Sequence, residues 1–243
     1  MLMSVMEGAA PCYPELAGKR VLITGLTSSF GVDIVRSFAE HRARLVLQFD
    51  EVSEKAHVIA EIAAPSALAI EALGPAAIEA EAVTHLARQA VQVFGGLDAV
   101  VNIVPLAALA RLPAAATAAD IERLVAQRLL LPCLLSGIAA NRMALTLTEG
   151  LVLNVAPPTG PGGSRARAFA GVVKAALAAM TRSQAEEWAG KGIRFNAIAP
   201  ETAQLPGEPR LAGELEVAAL ALYLASGRGK ALSGHVFEAA ARA

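Results

Sequence analysis

Arg20-Val21-Leu22-Ile23-Thr24-Gly25, running on to Phe30-Gly31, is the stretch on which the fold is read. Residues 20–24 form a short, nearly continuous apolar run, the composition of a strand buried on both faces. From residue 30 to residue 41 the apolar positions change to helical spacing. Between strand and helix lies a turn that carries Gly25 and Gly31.

The same alternation continues outward to the C-terminus. Further strands are expected at 44–48, 69–73, 98–104, 151–155, 193–198 and 235–238. Helices are expected at 79–94, 118–143, 165–189 and 211–225, the first of these stopped by Gly95-Gly96. Strand and helix in alternation imply right-handed crossovers and a doubly wound parallel sheet of the α/β class. No repeat, linker or charge block divides the chain. It reads as a single domain over 16–243, preceded by an N-terminal extension over 1–15.

Composition narrows the function classes. Hydrophobic residues make up 55% of the 243 but aromatics only 4%, which suits helices packed closely on a sheet and excludes disorder. A formal charge of −1 supplies no field to hold nucleic acid or an anionic membrane. Cys12 and Cys133 lie far apart without metal-ligand spacing, so they read as reduced thiols and no metal site is expected. The first residues lack the basic and apolar regions of a signal peptide. The longest apolar stretch, 129–140, is too short to span a bilayer and contains Pro132. A cytoplasmic protein with no membrane or nucleic-acid partner is the expectation.

Several segments carry a more specific likeness. Arg20 to Gly25 followed by Gly31 resembles the first strand and glycine-rich turn of the short-chain dehydrogenase/reductase superfamily. Phe94-Gly95-Gly96-Leu97-Asp98 and Val100-Val101-Asn102 are similar to the approach to its Asn-Asn-Ala-Gly motif. The run from Gly192 through Phe195 to Pro200 looks like its sixth strand. Leu222-Tyr223-Leu224-Ala225-Ser226 and the segment from Leu232 to Phe237 resemble its closing helix and strand, nearest to 3-oxoacyl-carrier-protein reductases. The likeness runs from Leu16 to the C-terminus, and it implies a Rossmann-type fold. It also implies hydride transfer between NAD(P)H and a carbonyl or alcohol. In that chemistry a Tyr acts as acid/base, a Lys lowers its pKa, a Ser positions the substrate oxygen and an Asn holds a water.

Set against that pattern, the catalytic positions are changed. The Lys position is Lys174, and four residues earlier, where the Tyr belongs, stands Ala170, which has no proton to give. Counting thirteen residues further back, the Ser position is Pro157, which offers neither hydroxyl nor N–H. The Asn position falls on Arg128, in Arg128-Leu129-Leu130-Leu131-Pro132-Cys133. Nearby polar residues, Thr159, Ser164, Arg167 and Tyr223, are the candidates for displaced catalysis, and none of the four histidines falls at the family's site.

The cofactor positions are degraded as well. The family's Thr-Gly-x-x-x-Gly-x-Gly, whose backbone approaches a pyrophosphate at a helix N-terminus, keeps Gly25 and Gly31 but has Ser29 at the middle glycine. The residue expected to select the ribose hydroxyl is Phe49, with Asp50 next to it, and the adenine-contacting position falls near Ala76. Asn102 retains the first Asn of its motif, but Pro105 replaces the glycine. Only 201–209 separates Pro200 from the next expected helix, leaving a shortened substrate lid. No tight NAD(P) binding is expected. The leading expectation is a non-catalytic subunit of a heterotetramer with an active paralogue that binds NAD(P) and acts on a hydroxyacyl or oxoacyl thioester. Self-association through the helices bearing Leu129, Leu130, Leu134, Val172, Leu177 and Met180 belongs to that reading. An oxidoreductase with displaced catalytic groups and a homomeric binding protein remain the alternatives.

Overall fold

The computed structural model describes residues 12–27, 30–49, 54–75, 79–104, 106, 116–157, 164–199 and 213–238. The strands are β1 (Arg20–Leu26), β2 (Arg44–Phe49), β3 (Ala69–Leu73), β4 (Ala99–Ile103), β5 (Gly150–Val155), β6 (Ile193–Ile198) and β7 (Val236–Phe237). The helices are α1 (Val32–Glu40), α2 (Glu54–Ala63), α3 (Ala80–Phe94), α4 (Ala118–Leu145), α5 (Ser164–Trp188) and α6 (Glu214–Ala225). The seven strands form one sheet in the order β3-β2-β1-β4-β5-β6-β7, parallel throughout. This is the Rossmann-type doubly wound sheet that the alternation implied. The chain reverses its direction of travel between β1 and β4, and the C-terminal ends of those strands bound the crevice where such folds bind ligands.

One face of the sheet is covered by α1, α2 and α6 around Val21, Ile34, Phe38 and Leu222. The other carries α3, α4 and α5 around Leu22, Leu135, Val152 and Phe195. Every residue of β1, β4 and β5 but Arg20 is buried, as the apolar runs require. The N-terminal ends of β1 and β4 are tied by Arg20, whose Nε donates to Asp98 Oδ2 at 2.8 Å and whose Nη2 donates to Oδ1 at 3.0 Å. The Arg20 backbone N–H donates to the same carboxylate at 2.9 Å.

The expected elements differ from the observed ones mainly at their ends. β1 runs on to Leu26, and the expected helix at 30–41 starts only at Val32, because Gly31 takes a left-handed φ of 110° as the N-cap. The last strand shortens to Val236–Phe237. α6 is described from Glu214, and the start expected at 211 lies outside the described residues. α2 had no sequence expectation at all. Its apolar positions fall on both sides: Ile59 and Ala63 are buried, but Val58 and Ile62 are 47% and 57% exposed. That blurs the amphipathic period, although a parallel β2–β3 pair demands a crossover there. By length and composition α4 is apolar enough to cross a membrane, yet Leu135, Ser136, Ala139, Ala140 and Met143 along it are buried in the domain. Pro132 sits inside the helix and is itself buried.

Candidate functional site

Three groups of side chains define the crevice. The first is a polar ladder beneath it. Thr24 Oγ1 donates to Asn102 Oδ1 at 3.1 Å, linking β1 to β4. The Asn102 amide then donates to Ser136 Oγ on α4 and to Asn154 Oδ1 on β5, both at 3.1 Å. Asn154 passes its own amide proton to Thr181 Oγ1 on α5 at 3.3 Å. All five residues are at most 1% exposed. Asn102, read from the sequence as a cofactor position, is therefore committed to holding sheet and helices together. Loss of one member would leave buried partners unsatisfied, at about 1–3 kcal/mol.

The second group is the turn between β1 and α1. The Gly25 N–H donates to the side-chain Oε1 of Gln48 at 2.9 Å, and Gln48 Nε2 donates on to the Phe49 carbonyl at 2.7 Å. The Phe30 N–H is taken by Thr27 Oγ1 at 3.2 Å. At Gly31 the side chains of Leu26 and Ile103 close over the backbone, so that a β-carbon would collide with Leu26. Those two residues are 1% and 3% exposed. The Glu214 carboxylate, at the start of α6, accepts the N–H groups of Gly31 and Asp33 at 2.8 and 2.7 Å. Burial pushes the Glu214 pKa above the usual carboxylate range, with Asp33 adding repulsion, while the N–H groups of Asp33, Gly31 and Ile34 pull against the shift.

The third group surrounds the expected acid/base position. Ala170 is 2% exposed, in an apolar cluster with Val104, Leu106, Ala156, Val173, Leu177 and Ala199. Pro157 is buried just past the end of β5. Arg128 on α4 and Lys174, one turn beyond Ala170 on α5, are both half-buried. The positions counted from the sequence are thus both buried, Ala170 in an apolar cluster.

Several other expectations change. Phe49 is not a residue beyond the second strand but the last residue of β2, 5% exposed in the core, so it does not present itself to a ribose. Tyr223 packs against the α1–α6 side of the sheet, whereas Ala170 packs with Val173 and Leu177 of α5 and with residues just past the ends of β4, β5 and β6, which removes Tyr223 as a displaced acid/base. Arg167 is exposed on α5. Leu177 points inward at 1% exposure, so the outward apolar positions are Leu130 and Val172, at 38% and 53%. Ser29, Asp50, Ala76, Pro105, Thr159 and residues 201–209 lie outside the described residues, as does the side chain of Ser164. Among the described residues no cluster of three or more His, Cys, Asp or Glu could hold a metal ion.

Sequence reasoning missed Gln48 and Glu214. Each lies far along the chain from the glycine turn it serves, and only the assembled topology brings them there. A cavity of about 1050 Å³ lies at the opposite, N-terminal ends of β1, β4, β5 and β6, lined among others by Lys19, Asp98, Glu149, Arg182 and Arg194.

A family model for short chain dehydrogenase matches residues 19–206. The chain belongs to the short-chain dehydrogenase family. A Thermotoga maritima protein described as an uncharacterized oxidoreductase is 32% identical over 193 residues, covering 78% of this chain and 74% of that protein. The galactitol 2-dehydrogenase (L-tagatose-forming) of Cereibacter sphaeroides is 30% identical over 255 residues, covering 91% and 93%. Among solved structures, a short chain dehydrogenase from Mycobacterium smegmatis superposes with a TM-score of 0.79 at 24% identity, covering 96% of this chain and 95% of that one. At that identity the likeness speaks for the fold. The family is one of NAD(P)-binding oxidoreductases, and these relatives are named as an oxidoreductase or as dehydrogenases.

Proposed function

We propose that this short-chain dehydrogenase is a non-catalytic subunit that supports an active, NAD(P)-dependent paralogue in a heterotetramer. The observation that carries the reading is Ala170, sealed in an apolar cluster where the family's proton donor would stand. Positioned acid/base groups contribute about 10²–10⁴-fold to such reactions, and neither alanine nor Pro157 can replace one. On the cofactor side, the Gly31 and Asp33 N–H groups at the start of α1, where a pyrophosphate would dock, already donate to the Glu214 carboxylate. The substrate class of the complex is a hydroxyacyl or oxoacyl thioester, and the compartment is the cytoplasm, where the free thiols of Cys12 and Cys133 stay reduced.

Turnover decides the first half of this reading. The purified chain, given NADH or NADPH with ketone, polyol and 3-oxoacyl thioester substrates, should show no ordinary enzymatic rate of about 1 s⁻¹ or faster. Dissociation constants for either cofactor should lie above about 1 mM. A measured turnover would instead favour the second reading, an active oxidoreductase, which the names of the relatives favour. Assembly decides the other half. Light scattering should find an oligomer, and Val172→Glu, which places a charge on an outward apolar position of α5, should break it without unfolding the domain. A monomer at micromolar concentration, unchanged by co-expression with the paralogue, would remove the subunit reading.

A further inference from the structure

The described ends of the β1–α1 turn, Gly25 on β1 and Phe30–Gly31 before α1, carry backbone N–H groups, those near Gly31 at the positive end of the helix dipole, as a phosphate cradle does. Among the described residues, four of these donors are taken by the chain's own side-chain oxygens. Gln48 takes Gly25, Thr27 takes Phe30, and Glu214 takes Gly31 and Asp33. The last of these is the decisive contact. A helix begins with about four N–H groups that lack intrahelical partners. A single carboxylate, 183 residues away in sequence from Gly31, satisfies the N-cap and the second helical position. It brings the negative charge that a phosphate would otherwise supply.

We infer that Glu214 is a built-in anion that fills the phosphate position at the N-terminus of α1 and holds the cradle shut. This deepens the proposal above, because it rests on the reading of the crevice as closed to dinucleotide and assigns the residue that closes it. Two further observations agree with an occupied rather than an eroded cradle. Gly31 keeps the left-handed φ of 110° that a phosphate-binding turn needs, so the backbone frame persists. Leu26 on β1 and Ile103 on β4 pack on the same glycine while Glu214 on α6 bonds to its N–H, so the same backbone is engaged by three elements. An external phosphate would meet like charge at Glu214 and find no free donor on Gly31 or Asp33.

Removing the carboxylate should free those donors. The test uses inorganic pyrophosphate, which carries neither adenosine nor nicotinamide and so is indifferent to the altered positions elsewhere in the crevice. Its binding is followed through the backbone amide resonances of Gly31 and Asp33 in the full chain. In the wild-type protein these resonances should not respond to millimolar pyrophosphate. In Glu214→Ala they should shift saturably, with affinity at least tenfold tighter. Glu214→Gln, which keeps the size of the side chain and loses its charge, should show a smaller gain and covers the case in which the alanine variant fails to fold. Equal binding by wild type and variants, or no response in either variant, would overturn the inference. Both of those outcomes leave the non-catalytic reading standing, since that reading falls only to measured turnover.

Discussion

On the proposed reading, the two halves of the crevice are closed in different ways. In the first half, around β1, β2 and α1, Gly31 keeps its left-handed backbone, and the described donors of the turn are answered by Gln48, Thr27 and Glu214. In the second half, around β4, β5 and α5, the frame also survives, but the chemistry has been replaced by apolar side chains around Ala170. A polar site that is filled by internal hydrogen bonds can be reopened by removing one partner. A polar site rebuilt as core cannot, because a new polar group there has no partner and no room. On that reading the contrast separates a function that is blocked from one that is absent.

The largest expected effect tests the second half directly. Ala170→Tyr puts back the family's residue type at its own register position. Overpacking the cluster of Val104, Leu106 and Leu177 and burying an unpartnered hydroxyl should together destabilise the domain by about 3 kcal/mol. Urea unfolding reads this as a lower midpoint at unchanged slope. A variant with wild-type stability would mean that the site still has space for a tyrosine, and the contrast between the halves would be lost.

A smaller effect belongs to the tie that joins the halves. Asp98 sits at the N-terminal end of β4 and accepts three hydrogen bonds from Arg20 of β1. Burial pushes its pKa up, but the side-chain and backbone hydrogen bonds from Arg20, with the charges of Arg20 and Lys19, hold it below the usual aspartate value. A carboxylate depressed in the folded state stabilises it above its unfolded pKa, and that stabilisation is lost as pH falls through the folded value. Asp98→Asn should therefore cost about 2 kcal/mol near neutrality, the range for hydrogen bonds to charged groups. The difference from wild type should shrink below about pH 4, where aspartates begin to protonate. A difference that persists undiminished through that window would assign the cost to packing and not to the ion pair.

The comparison also explains what could be read from the chain beforehand. The sheet was legible because β1, β4, β5 and β6 are buried runs whose composition alone marks them, and because Gly31 and Gly95 sit at helix ends where a left-handed backbone is required. The absence of an acid/base group at Ala170 was legible for a similar reason: a fixed spacing from Lys174 along one helix needs no tertiary information. Helix α2 escaped because its apolar residues divide between both faces. The orientation of Leu177 escaped because α5 is apolar on more than one side, so period alone did not separate inward from outward positions. Glu214 escaped for a topological reason. Nothing in Gly213-Glu214-Leu215-Glu216 distinguishes a carboxylate that caps a distant helix from Glu216, whose side chain accepts the Gly213 N–H at 3.0 Å.

The smallest effect separates the blocked half from an ordinary helix cap. A carboxylate that merely capped α1 would be expected to have a lowered pKa, since the dipole and the N–H donors favour its charge. Glu214 runs the other way: burial, reinforced by Asp33 on α1, outweighs the bonds from Asp33, Gly31 and Ile34. Asp33 is itself paired with Arg36 at 3.0 Å, which limits how much repulsion it adds. With the folded pKa raised, the native state holds the Glu214 proton more firmly than the unfolded chain does. Stability from this group is then full below the unfolded pKa, near 4.3, and is lost as pH rises through the folded value. Wild type should lose stability relative to Glu214→Gln over that interval, by less than about 1 kcal/mol after allowance for solvent screening at a half-buried group. Paired urea titrations from pH 4 to pH 7 would detect it as a difference that grows with pH and then levels. A difference of the opposite sign, with wild type gaining on the glutamine variant as pH rises, would make Glu214 a stabilising cap of the usual kind. The charge at the cradle would then be one the fold favours outright, and reopening it would cost the protein stability at neutral pH.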